Sequence, residues 1–120
     1  MKHILVIDDD LFIRDLVSTK LSESYSVLTA ATGKEGLEAA ENKKPDLILL
    51  DLDLPDKHGI EVLKNIRSKP ETASVPVIIF SNNEISTYKD EVSSLNVTNY
   101  IVKVNVDMSE LKSYVDKILS

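Results

Sequence analysis

Asp46-Leu47-Ile48-Leu49-Leu50-Asp51-Leu52-Asp53-Leu54-Pro55 sets four consecutive large apolar residues between acids. The run is too short for a helix, and its lack of polar alternation is what a strand covered on both faces requires. Ile4–Ile7 and Val77–Phe80 are unbroken apolar runs of the same kind. Ser26–Ala30 and Tyr100–Val102 read as two more strands with greater exposure. Amphipathic stretches separate all five, so the pattern predicts a doubly wound five-stranded parallel sheet with crossover helices, an α/β domain filling residues 1–120.

The intervening stretches carry helix signals. Asp10 stands before Leu11-Phe12-Ile13 and is placed to cap the first helix, whose apolar positions are Ile13, Leu16, Val17 and Leu21. Thr32 and Glu35 form a capping-box pattern at the second, and Asp107 and Glu110 at the last. Val62, Leu63 and Ile66 mark the third helix, which runs into the turn-forming stretch Ser68–Ser74 with Pro70. Ile85, Tyr88, Val92 and Leu95 give the fourth a narrow stripe, and Leu111, Tyr114, Val115, Ile118 and Leu119 give the last a broader one.

With 120 residues, 42% of them apolar, the chain can bury a core without staples. Twenty acidic against 14 basic residues give a net charge of −6, which opposes direct nucleic-acid binding. The absence of cysteine excludes disulfides and thiolate metal sites. No apolar run is long enough to insert in a membrane or to act as a signal peptide, so the expectation is a cytoplasmic protein.

In an open parallel sheet the ligand crevice lies at the carboxyl ends of the strands. There the first strand delivers Asp8, Asp9 and Asp10, the third Asp51 and Asp53, the fourth Ser81 and the fifth Lys103. Any one acid after a strand is most simply a turn former or helix cap. Polar groups at four strand ends are better read as a convergent site. If the first and third strands are neighbours, Asp8, Asp9 and Asp51 crowd one pocket, where two like charges ~4 Å apart cost roughly 4 kcal/mol at an effective dielectric of 20. Such a cluster calls for a cation, and few carboxylates with room for water and phosphate suit Mg²⁺.

Together Leu5-Val6-Ile7-Asp8-Asp9-Asp10, the Asp46–Pro55 stretch with Gly59 behind it, Pro76-Val77-Ile78-Ile79-Phe80-Ser81 and Tyr100-Ile101-Val102-Lys103 resemble the receiver domain of bacterial two-component response regulators, of the single-domain, chemotaxis-regulator type. The likeness runs from Ile4 to Leu119. It implies a flavodoxin-like strand order 2-1-3-4-5, an order for which a receiver is the standard illustration, with five helices. It further implies that Asp51 is the phosphoacceptor, receiving its phosphoryl group from a sensor histidine kinase or a histidine phosphotransfer protein. Mg²⁺ would be held by Asp9 directly, by Asp8 mainly through water, by Asp51 and by the backbone carbonyl of Asp53. Lys103 would add positive charge, Ser81 would donate its hydroxyl to the phosphoryl group, and Tyr100 would turn inward as a switch, although simple packing also explains a tyrosine there. The surface to change is that of the fourth helix, fifth strand and fifth helix. Its reader is expected to be a separate effector protein or, once phosphorylated, a second copy of the chain. On this reading the domain is a self-dephosphorylating switch, not a turnover enzyme.

Val104 replaces the family's usual proline after the lysine, and a trans Lys103–Val104 bond with a shifted Lys103 backbone is expected, since a cis bond there costs about 3–4 kcal/mol. Asn82 stands where a small residue is usual. Asn96 takes the place of a glycine before the fifth strand and should adopt left-handed angles. His58 and His3 read as solvent-facing loop residues. Two other functions compete. Asp51-Leu52-Asp53 also suits a haloacid-dehalogenase-like phosphatase, but that family opens on the motif and needs a later acidic pair. A degenerate receiver acting only as an interaction module is the second, supported by Val104 and Asn82 and opposed by the intact aspartates.

Overall fold

The computed structural model describes residues 1–82 and 85–120, with the side chains of 85–87 outside that description. Strands and helices alternate as the apolar pattern demands: β1 (His3–Ile7), α1 (Leu11–Leu21), β2 (Ser26–Ala30), α2 (Gly33–Lys43), β3 (Leu47–Leu50), α3 (Gly59–Ser68), β4 (Val77–Ser81), α4 (Ile85–Ser94), β5 (Asn99–Val102) and α5 (Met108–Leu119), with a short 3₁₀ turn at Lys103–Asn105 before the last. The five strands form one parallel sheet in the order β2-β1-β3-β4-β5. The three apolar runs occupy the middle of the sheet, and β2 and β5 lie at its more exposed edges.

Period-two alternation divides the central strands between two faces. Leu5, Ile7, Ile48, Leu50, Val77 and Ile79 pack against α2, α3 and α4. Ile4, Val6, Leu47, Leu49, Ile78 and Phe80 pack against α1 and α5. No helix among the described residues is long and apolar enough to cross a membrane.

The helix starts follow from local chemistry. Asp10 accepts hydrogen bonds from the Phe12 and Ile13 amides, and Asp107 and Glu110 complete both halves of a capping box. The Thr32 box is only half formed. Thr32 Oγ accepts from Glu35 N at 3.1 Å, but Glu35 meets the Thr32 hydroxyl and leaves its backbone amide alone. The next orphan amides, Gly33 N and Lys34 N, donate instead to the two carboxylate oxygens of Asp56 at 2.8 and 2.9 Å. A residue from another loop thus finishes the cap.

Two apolar stripes are narrower than their spacing predicts. Leu16 and Tyr114 are each 38% exposed, because Val17 and Leu21 of α1 and Leu111, Val115 and Leu119 of α5 occupy the lines that face the sheet. In α4, Val92 is buried while Tyr88 packs partly, as does Leu95 just beyond the helix end; the Ile85 side chain lies outside the described residues. Asn96 adopts φ 54°, the expected left-handed turn, and no peptide bond among the described residues is cis, Lys103–Val104 included.

Candidate functional site

Strand register brings the acids together. Ile7 is paired with Leu50, so Asp8 and Asp51 leave the sheet side by side, and Asp51 N donates to the Ile7 carbonyl at 2.9 Å. Ile79 is paired with Leu50 on the other side of β3, and Ser81 with Val102, so Ser81 and Lys103 emerge at the same rim. Carboxylate oxygens of Asp8, Asp9 and Asp51 lie within 4.8 Å of one another.

Lys103 completes the constellation. Its Nζ is 2.6 Å from Asp8 Oδ2 and 3.3 Å from Asp51 Oδ2, and its charge lies 5.7 Å from the centre of the Phe80 ring. The 3₁₀ turn that begins at Lys103 therefore carries the ammonium into the pocket without a proline after it. Asp8 uses both oxygens, since Oδ1 accepts from Asp10 N at 2.9 Å. Asp51 Oδ1 accepts from Asp53 N at 3.3 Å, and the buried Ser81 hydroxyl also hydrogen-bonds the Asp51 carboxylate.

Burial dominates the electrostatics. Asp51 is 5% exposed, and its removal from water raises its pKa above the ordinary carboxylate value; Asp8 pushes the same way, and Lys103 with the Asp53 and Ser81 hydrogen bonds opposes without prevailing. Burial alone would lower the Lys103 ammonium, yet the hydrogen bond to Asp8 and the charges of Asp51 and Asp8 raise it above its ordinary value. Asp51 is raised chiefly by burial and Lys103 by its two carboxylate neighbours. Three carboxylates against one Lys leave two negative charges, which a single divalent cation would match. The donors are hard oxygens, with Asp9 on the exposed side where water can complete the shell, so the residues fit Mg²⁺.

The loop after β3 is built close to Asp51. Gly59 opens α3, and its N donates to the Leu52 carbonyl at 2.7 Å. A Cβ at Gly59 would lie 2.5 Å from the Asp51 carbonyl oxygen and from Leu52 Cα, so only glycine lets the helix begin there. Asp53 pairs with His58 in an antiparallel bridge, closing the loop on itself. His58 is consequently no solvent-facing loop residue. It caps α3, with Nδ1 accepting from Ile60 N at 3.1 Å, and its Nε2 meets Tyr88 Oη at 2.9 Å. His3 is exposed but belongs to β1.

Tyr100 stands opposite Ile79 in the sheet and packs partly on the core under α2–α4. Asn82 is exposed beside Ser81. Sequence reasoning overlooked Arg14, whose guanidinium donates to the Asp8 carbonyl at 2.9 Å, and Asp56. Arg14 lies one turn beyond the Asp10 cap, a spacing that could have revealed it; nothing in the sequence joins Asp56 to Gly33.

A family model for the response regulator receiver domain matches residues 4–116. The transcriptional regulatory protein CiaR of Streptococcus pneumoniae is 37% identical over 99% of this chain and 52% of its own length. The alkaline phosphatase synthesis regulatory protein PhoP of Bacillus subtilis is 38% identical over 85% of this chain and 42% of its own. The chain thus spans about half the length of the curated relatives it matches. Among solved structures, the chemotaxis protein CheY4 of Vibrio cholerae superposes with TM-score 0.90 at 28% identity, covering 98% of both chains. The response regulator TrrA of Thermotoga maritima, solved with Mg²⁺ and beryllofluoride, does so with TM-score 0.84 at 35% identity, covering 98% of this chain and 99% of its own. A fold, a strand order and an acidic rim of this kind, matched over nearly the whole chain, place this protein in the response regulator receiver family.

Proposed function

We propose that Asp51 accepts a phosphoryl group from the phosphohistidine of a sensor kinase or a histidine phosphotransfer protein, and that the domain thereby switches a partner-binding face. The observation that carries this reading is Lys103 Nζ lying within hydrogen-bond reach of both Asp8 and Asp51 at the junction of three strand ends. A carboxylate oxygen of Asp51 attacks phosphorus; an O–P bond forms, the N–P bond of the donor breaks, and the imidazole nitrogen keeps the electron pair and takes up a proton. An ionised carboxylate needs no general base. Magnesium, when bound, neutralises charge on the phosphoryl oxygens.

The chain's own residues position and compensate. Asp8 is committed to Lys103 and the Asp10 amide, which leaves direct coordination to Asp9 and Asp51, with the carbonyl of Asp53 as a further donor. Lys103 holds positive charge where the phosphoryl oxygens arrive, and Ser81 offers its hydroxyl. Because the product stays attached to Asp51, the domain acts as a switch and not as a turnover enzyme. Moving a two-state equilibrium from 1:99 to 99:1 takes about 5.5 kcal/mol, which the new charge-assisted bonds must supply by favouring one state. We assign the response, with Tyr100 as its inward-turning reporter, to the face of α4, β5 and α5.

Beryllofluoride with Mg²⁺ tests the proposal. The expected result is a set of amide shifts at Asp51, Ser81 and Tyr100, together with a mass gain of one phosphoryl group from acetyl phosphate. Asp51→Asn should abolish both, and Asp9→Asn should abolish the rise in melting temperature that Mg²⁺ produces. Wild-type spectra unmoved by beryllofluoride would reduce the domain to an interaction module.

A further inference from the structure

A polar strap joins the loop behind the acceptor to α4. Because His58 Nδ1 accepts from Ile60 N, the proton of the neutral ring resides on Nε2, which donates to Tyr88 Oη at 2.9 Å. The two rings are also in contact, with centroids 4.9 Å apart and planes inclined by 50°. On one side the strap is fixed to the pocket: His58 pairs with Asp53, whose amide bonds Asp51 Oδ1, and the neighbouring Gly59 N bonds Leu52 O.

On the other side it grips α4 at its joint. Tyr88 has φ −125° and ψ 18°, non-helical values inside α4, so the segment that follows can change direction at this residue. A cavity of about 370 Å³ lined by His58, Ile60, Glu61, Lys64, Tyr88 and Glu91 leaves room between α3 and α4. The Lys64–Glu91 ion pair across the same gap, at 3.7 Å and exposed, contributes little, and Arg67 of α3 reaches the chain only after α4, at Leu95 and Asn96.

We propose that the His58–Tyr88 hydrogen bond couples the acceptor loop to the joint of α4, so that a group bound at Asp51 is transmitted to α4 through Tyr88. His58 is on this view a positioning residue, acting on α4 through Tyr88 and on the pocket through Asp53. The proposal rests on the phosphoacceptor reading of Asp51. By linkage, a contact that transmits the pocket's state to α4 must also feed back on affinity at the pocket.

Two substitutions isolate the hydrogen bond. Tyr88→Phe keeps the ring and removes only the hydroxyl; His58→Asn keeps an oxygen able to cap Ile60 N but is too short to reach Tyr88. Amide spectra of the full chain are recorded with Mg²⁺ and with Mg²⁺ plus beryllofluoride. In the wild type the shifts should extend from Asp51–Asp53 to residues 89–94. In each variant the pocket should still respond while the α4 shifts fall by about half or more, with beryllofluoride affinity changed by on the order of fivefold. The double variant should match the single ones, because both remove the same contact. Undiminished α4 shifts in both variants, or additive effects in the double variant, would overturn the coupling and leave the Asp51 reading intact. A wild-type pocket that ignores beryllofluoride would overturn both.

Discussion

The two faces of the sheet are closed by different means. Under α1 and α5 the seal is apolar and continuous: Leu111, Val115 and Leu119 lie along one line of α5, Val17 and Leu21 face them from α1, and a Tyr25–Asp116 hydrogen bond of 2.6 Å ties the rim. Under α3 and α4 the inner layer is equally apolar, yet among the described residues α4 adds only Val92 to the fully buried core. Its outer attachment is polar. Arg67 of α3 donates to the carbonyls of Leu95 and Asn96 after α4 and to those of Ala73 and Val75 before β4, and His58 holds Tyr88. Apolar area is non-directional and resists displacement, whereas a few directional bonds can exchange partners. Of the two helices that border the face assigned to signalling, α5 is thus held mainly by apolar area and α4 by one buried valine and a few directional bonds.

Core truncation is the strongest way to break this contrast. Leu111→Ala on α5 should cost about 3 kcal/mol, within the usual range for a buried leucine, while Val92→Ala on α4 should cost about 1 kcal/mol. Denaturant unfolding measures both, and equal losses would mean that α4 is anchored as firmly as α5.

Arg67→Met asks whether the polar attachment matters. It strands several carbonyls and removes their charge-assisted donor, for a loss of about 2 kcal/mol. Hydrogen exchange should show the loss concentrated in residues 89–99; a loss shared evenly with α5 would contradict the division between faces.

Tyr25→Phe sharpens the other side and should be the smallest, about 1 kcal/mol for one hydrogen bond. Burial, reinforced by the hydrogen bond and charge of Asp116, pushes the Tyr25 phenol up to about 12, against 10.0 for an unperturbed tyrosine. A folded value above the unfolded one means that this contribution is complete below pH 10 and fades as pH rises toward 12. Phenolate absorbance should therefore show a step near pH 12 that Tyr25→Phe removes.

Much of this was legible in the chain. Three apolar runs without alternation announced buried parallel strands, Asp10 announced its cap, and the acids after Ile7 and Leu50 announced a rim. Local chemistry misled where the partner was distant. Glu35 was expected to finish the cap of α2, but Asp56 does so, and amide hydrogen bonds from Gly33 and Lys34 hold its carboxyl below the usual range. His58 read as a loop histidine because the tyrosine it meets lies 30 positions away.

By itself the sequence determined which segments become strands, which residues stand at their carboxyl ends and that Asn96 turns left-handed, because these depend on apolar periodicity and on steric limits felt within a few residues; the left-handed Lys44 after α2 went unread. Tertiary structure alone decided that Lys103 bridges Asp8 and Asp51, that Arg14, Asp56 and Arg67 bind backbone groups of other segments, and that His58 meets Tyr88 of α4. Those contacts depend on strand register and on the angle at which each helix crosses the sheet, quantities summed over the whole packed core and written in no short stretch of chain.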